Sequence, residues 1–447
     1  MRGDVLKRHF SAVEHQKRFW RLAIANVISN LMVPLASLVD VAFLGHLQEI
    51  RHLAGVAIAT VLFNYLYWTF GFLRMGTTGL TAQARGRGDS EVEILTLGRN
   101  SAISLVIGTI ILCLQQPLRD LGFTLLQATP EVLQAGKDYY NALIWAAPAT
   151  LLNFVLLGWF LGREQGKIVL LISLLNNGAN IALDYLLVVR WGEQSAGAGA
   201  ATAMSQVVTL ILGGMLAYRE VGEILKGQRR SLPQFIGQIW ELSALKAAFS
   251  LNKDILIRTL ALVSTFAVFT NLSATMGTTI LAGNTLLLQV VTLAAYFIDG
   301  IAFATESMAG NLHGQGQQAK LRPLLKLAGT VSLLAGLSFA AVFSFFPQPL
   351  FGLLTSHLEV IQQIRHYLWW LFPVLGFGSI AYMLDGYFLG LTAGKILRQS
   401  TLIAAIIGFV PMAIAAWYWQ TNHLLWLALT LFMATRSITL VWQCGQK

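Results

Sequence analysis

Charge is scarce in this 447-residue chain. Asp, Glu, Lys and Arg make up 12% of it, where a soluble domain carries about 25%. Apolar residues make up 55% and the mean hydropathy is +0.62, so the chain is expected in a bilayer rather than in water. Cysteine is nearly absent too: Cys113 lies in an apolar run and Cys444 near the C-terminus, which excludes a disulfide framework and a cysteine-ligated metal cluster. No His-Glu-x-x-His zinc motif occurs, and Gly162-Arg-Glu-Gln-Gly166-Lys167 lacks the spacing and the following Ser or Thr of a phosphate-binding loop. Metal-dependent hydrolysis and ATP drive therefore have no motif, and neither an enzyme nor a cofactor is expected. A channel filter string is missing as well. So is a cleavable signal: the basic arm of Arg2, Lys7, Arg8, Lys17, Arg18 and Arg21 runs into a long span containing Pro34, with no small-residue cleavage site at its end.

Hydropathy and helix breakers give twelve spans, the first about Leu22–Gly45 and the last about His423–Val441. Each is long enough for a hydrocarbon core about 30 Å thick. With no water to satisfy the backbone, such spans must be helices, so the fold class is an all-α polytopic membrane protein. The 31 basic residues exceed the 21 acidic ones, which in a soluble protein could point to nucleic acid; here position matters more. With the N-terminus placed inside, the outer loops hold only Arg51, Arg119, Lys137, Arg190 and Arg365, Arg258 lies within a span, and every other Lys and Arg is on the inner side. That skew predicts cytoplasmic termini in a cell inner membrane, and no nucleic-acid partner.

The chain repeats itself. Gly158-Trp-Phe-Leu-Gly162 with Gly166-Lys167-Ile168 recurs as Gly386-Tyr-Phe-Leu-Gly390 with Gly394-Lys395-Ile396, and Gly86-Arg-Gly88 recurs as Gly314-Gln-Gly316. All share one offset, 228 residues, near half the chain. Six crossings is an even number, so the halves enter the membrane the same way up, as parallel repeats. Residues 1–218 are expected to form an N-lobe with the cytoplasmic arm, 254–447 a C-lobe, and 219–253, with Arg229, Arg230 and Pro233, a cytoplasmic linker between them.

Five acidic residues, Asp40, Asp184, Asp299, Glu306 and Asp385, fall inside or at the end of a span. A charge at a helix centre costs about 2.5–3.5 kcal/mol even on the lenient insertion scale. Asp40 and Asp184 lie beyond Arg21 and Lys167 on outward-running helices, about 25–29 Å from the inner surface at 1.5 Å per residue. Thr202, early on the inward-running sixth span, reaches a similar depth. Asn177, Asn180 and Asp184 share one helical face, and Asn153 on the fourth span lies at mid-depth. Two carboxylates in a dry pocket with amides and a hydroxyl suit one proton or one small cation, and oxygen ligands also suit sodium. Pro34 cannot donate to the carbonyl of Asn30, which weakens the first helix below Asp40. Asp299 and Asp385 are candidates for drawing cationic substrate into a cavity, Glu306 for a gate or interface, and Asp254 with Arg258 for a helix-end ion pair. At the 228 offset Asp40 and Asp184 become Val268 and Met412, so the halves share shape and not charge.

The strings Val33-Pro-Leu-Ala-Ser-Leu-Val-Asp-Val-Ala-Phe-Leu-Gly45, Leu73-Arg-Met-Gly-Thr-Thr-Gly-Leu-Thr-Ala-Gln83 and Met383-Leu-Asp-Gly-Tyr-Phe-Leu-Gly390 resemble the multidrug and toxic compound extrusion (MATE) transporters, nearest to their DNA-damage-inducible bacterial branch. The resemblance spans essentially the whole chain. It implies twelve spans in two six-helix lobes and an antiporter that exports organic cations and amphiphiles in exchange for protons or sodium. It also implies that Asp40, Asn180, Asp184 and Thr202 form an N-lobe coupling pocket, and that Pro34 permits bending of the first span. One branch couples through a glutamate on the seventh span; here that helix offers Arg258, Ser264, Thr265 and Thr270 and no such acid. The chain is therefore expected to work as a monomer by alternating access, with Asp40, Asp184, Asn180, Thr202, Asn153 and Asn177 holding the proton, or a sodium ion at Asp40, Asp184 and Asn180. A lipid-linked precursor flippase of the same superfamily is the alternative.

Overall fold

The computed structural model describes residues 2–45, 47, 49–124, 128–228, 237–354 and 358–445. Arg229, Arg230 and Pro233 of the expected linker lie outside the described residues, as do the side chains of Arg2, Lys7 and Arg8. Among the described residues twelve helices are long and apolar enough to cross a membrane: α1 (Val13–Gly45), α2 (Ile50–Arg87), α3 (Ser90–Cys113), α4 (Pro130–Gly162), α5 (Gly166–Arg190), α6 (Gln194–Lys226), α7 (Ser250–Thr275), α8 (Thr278–Gly314), α9 (Gln318–Phe345), α10 (Leu368–Gly390), α11 (Gly394–Trp419) and α12 (Asn422–Gly445). Several overrun the spans read from hydropathy, because hydropathy marks only the stretch that lipid covers while helical hydrogen bonding continues beyond it. No strand occurs among the described residues.

Hydroxyls inside these helices are satisfied locally. Thr77, Thr259 and Thr305 each donate to the carbonyl four residues back, at 2.6–2.9 Å, which removes the cost of leaving a donor unpaired in lipid.

Two compact units divide the chain, Leu31–Ser250 and Met1–Asn30 with Leu251–Lys447. The division cuts α1 between Asn30 and Leu31, so its N-terminal part groups with residues 251–447. In the 31–250 unit α4 is central, packed on α2, α3 and α6; in the other, α10 is packed on α8, α9 and α12. The repeated Gly-x-x-x-Gly is the cause. A Cβ on Gly158 or Gly162 would collide with the carbonyls of Arg74 and Thr78 on α2, and a Cβ on Gly386 or Gly390 with those of Ala302 and Glu306 on α8. Those contacted carbonyls obey the same 228-residue offset as the glycines. Small residues four apart let two helix backbones meet, and each unit is built around that meeting.

Candidate functional site

Within the 31–250 unit, Asp40 of α1 and Asp184 of α5 face one another with their carboxyl groups in hydrogen-bonding reach. Asp184 is 1% exposed and Asp40 half-buried. Neither oxygen of Asp184, nor Oδ1 of Asp40, has a hydrogen-bond partner among the described residues. Two facing carboxyls repel one another when both are ionised, and a shared proton or a small cation is the chemistry that relieves such a pair. Directly after Asp184 the backbone of α5 passes into a π-helical turn, Tyr185–Arg190, a distortion that recurs at functional sites.

Asn180, one turn before Asp184, donates through Nδ2 to Thr202 Oγ1 at 3.3 Å, and Thr202 donates to the carbonyl of Ala198 at 3.0 Å. The pocket thus gathers the four residues that the spacing brought to one depth. It also contains a group the sequence did not single out: the hydroxyl of Tyr139 on α4 reaches both Thr202 and Thr60 and lies within electrostatic range of both carboxyls. Two other expected members are bonded elsewhere. Asn153 donates to the carbonyl and the side-chain oxygen of Gln206, both at 2.9 Å, and Asn177 donates to the carbonyl of Ser173 at 2.8 Å. Pro34 sits inside α1, six residues before Asp40.

In the 251–447 unit, Asp385 is 4% exposed, and one of its oxygens accepts from both Arg258 and Arg436, which are 5% and 0% exposed. Arg436 is further flanked by the rings of Tyr382 and Phe432 at 5.5 and 5.6 Å. Asp385, a candidate for a cavity wall, has its charge matched by two guanidiniums in the interior, a pairing hidden in sequence because Arg436 is fifty-one residues away. Asp299 is partly exposed and lies within range of Tyr296 and Tyr382. Glu306 is fully buried. Asp254 accepts from Arg398 at 2.5 Å, while Arg258 is committed to Asp385. Just past the C-terminal end of α4, Arg163 donates to Glu93 and Glu220 at 2.8 and 2.7 Å, an ion-pair network that ties α3 and α6 to the end of α4. Among the described residues no group of three or more His, Cys, Asp or Glu is placed to hold a metal ion.

A family model described as MatE matches residues 26–186 and 255–426. The chain is 34% identical over 431 residues to the DNA damage-inducible protein F of Escherichia coli, covering 96% of this chain and 92% of that one. It is 22% identical to a probable multidrug resistance protein NorM of Thermotoga maritima, covering 78% and 74% of the two. Among solved structures, a transporter of the MOP superfamily from Pyrococcus furiosus superposes with a TM-score of 0.85 at 21% identity, covering 96% of this chain and 95% of that one. An outward-facing multidrug resistance MATE transporter gives 0.84 at the same identity and coverage. These structures share the fold of twelve helices, and the two sequence comparisons extend over both of its units: the chain belongs to the MatE family of membrane transporters.

Proposed function

We propose that the protein is an antiporter that exports cationic or amphiphilic organic compounds in exchange for protons, with Asp40 and Asp184 as its coupling site. The supporting observation is the pair of facing carboxyls, Asp184 buried and Asp40 half-buried, three of whose oxygens lack a donor, beside Asn180, Thr202 and Tyr139. Protonated, the pair is neutral and has no hold on a cationic cargo. Deprotonated, it carries charge that attracts one, so proton and cargo compete for the same carboxylates. Pro34 supplies the weak turn through which a change at Asp40 bends α1. One charge moving through 100 mV supplies about 2.3 kcal/mol, enough to shift a two-state transporter roughly fiftyfold. The amide of Asn180 and the hydroxyl of Thr202 add neutral oxygens, which would let sodium occupy the same pocket. The protein is read as a monomer in the cell inner membrane.

Efflux from everted vesicles under an imposed proton or sodium gradient tests this. Asp40→Asn should abolish gradient-driven export while the protein remains in the membrane at wild-type level. Export at full rate by the variant under both gradients would remove the coupling assignment.

A further inference from the structure

At the inner end of the first helix, α1 and α8 touch backbone to backbone. A Cβ built on Gly300 of α8 would lie 2.5 Å from Val27 Cα and 2.6 Å from Val27 N, so no side chain separates the two helices there. One turn earlier on α8, the carbonyl of Tyr296 accepts a hydrogen bond from Asn30 Nδ2 at 3.1 Å. Residue 27 is opposite 300 and residue 30 opposite 296, an antiparallel register that, continued by one helical turn, sets Ala23 against Ala304; both are buried, at 2% and 0% exposed, as are Phe19 and Leu22.

Two further features mark this contact as one made to be broken. Asn26, one residue before Val27, is 1% exposed, yet neither its amide nitrogen nor its amide oxygen has a hydrogen-bond partner among the described residues. A buried amide left unsatisfied favours any state that wets it. In addition, Asn30 is the residue whose carbonyl loses its helical donor to Pro34, and it is where the compact unit containing 251–447 ends. Beyond that point Leu35, Leu38 and Val41 are half or more exposed. A permanently packed helix would have no reason to change partners at the turn where its own ladder is interrupted.

We propose that residues 19–30 of α1 form a releasable strap, clamped on α8 through the bare backbone of Gly300 and the Asn30 side chain, and that the strap must let go once in each transport cycle. The proposal takes the antiport reading for its setting. Asn30 and Asp40 lie about 15 Å apart along one helix, with the Pro34 break between them, so the strap anchors the inner arm of the lever whose outer arm carries the coupling carboxyl.

The test closes the strap covalently after folding. In a Cys113→Ser, Cys444→Ser background, Ala23→Cys and Ala304→Cys are combined, the protein is reconstituted, and the two thiols are oxidised or bridged with a short bifunctional thiosulfonate. The bridged protein should bind tetraphenylphosphonium as before and export it at least tenfold more slowly, with reductant restoring the rate. Export at the unbridged rate by fully bridged protein overturns the proposal, and failure of the thiols to bridge overturns the register on which it stands. Gly300→Ala, checked for a monodisperse elution profile, should cut the bridging yield severalfold; an unchanged yield shows that the glycine is not the clamp. The two readings fail separately. Normal export by Asp40→Asn with arrest by the bridge removes the coupling site and leaves the strap, whereas loss of export in Asp40→Asn with no effect of the bridge does the reverse.

Discussion

A tyrosine hydroxyl is the cheapest part of the pocket to remove and so the most informative. Tyr139 reaches Thr202 and Thr60 and lies within electrostatic range of both carboxyls, and its ring packs edge-on to Phe63 at 6.1 Å. Tyr139→Phe keeps that packing and deletes one hydrogen-bonding group, worth about 1 kcal/mol. Proton-driven efflux should fall about fivefold while thermal unfolding in detergent stays within about 2 °C of wild type. A wild-type rate would place the hydroxyl outside the coupling network. Residues of this pocket differed sharply in how visible they were. Asp40 and Asp184 stand out because a carboxyl in an apolar span is costly and must have a reason. Tyr139 did not stand out, because tyrosines also populate the membrane interface and the packed interior, and only its contacts tell the cases apart. Asp385 was visible as an acid, but its partner Arg436 was not, since nothing in the spacing joins the tenth span to the twelfth.

At the scale of helices, the repeated glycines decide which elements form the centre of each unit. Gly162 lies so close to α2 that a Cβ would sit 2.6 Å from the Thr78 carbonyl and 2.7 Å from Thr81 Cβ. Neither neighbour is a flexible chain end, so α4 would have to move off α2. Gly162→Ala should therefore cost about 1–3 kcal/mol as an overpacked contact, read as a lower unfolding temperature in detergent. Gly178→Ala on α5 is the control: nothing lies within 4 Å of a Cβ there, and alanine is the better helix former, so its melting temperature should not fall. Equal losses in both variants would show that helix propensity and not the α2–α4 contact sets the effect. The duplication was legible because identical glycine strings impose identical contacts, and the contacted carbonyls keep the same spacing. The π-turns at Tyr185–Arg190 and Ala404–Phe409 left no trace in the sequence, since apolar residues of this kind also form regular helix. The division of α1 at Asn30 was half legible: Pro34 announced a weak turn, while the change of packing partner could be seen only in three dimensions.

Over the whole molecule, shape is duplicated and chemistry is not. Asp40 and Asp184 correspond to Val268 and Met412, and Val268 lines an apolar pocket of ≈ 380 Å³ with Phe409 and Ala413, so the carboxyl pair has no counterpart in the second unit. What the whole chain does share is a direction of charge. Arg51, Arg119, Lys137, Arg190 and Arg365 are the only basic residues read into outer loops, and twelve crossings return the C-terminus to the side of the N-terminus. Basic residues near span ends resist translocation, and here every inner loop contributes in the same sense, so no single loop has to fix the orientation. Green fluorescent protein fused after Lys447 should consequently fluoresce in cells, while alkaline phosphatase fused at the same point should be inactive. The opposite result would turn every span over, place the Asp40 and Asp184 pocket in the inner half of the membrane, and reverse the side from which the proposed coupling ion would have to enter.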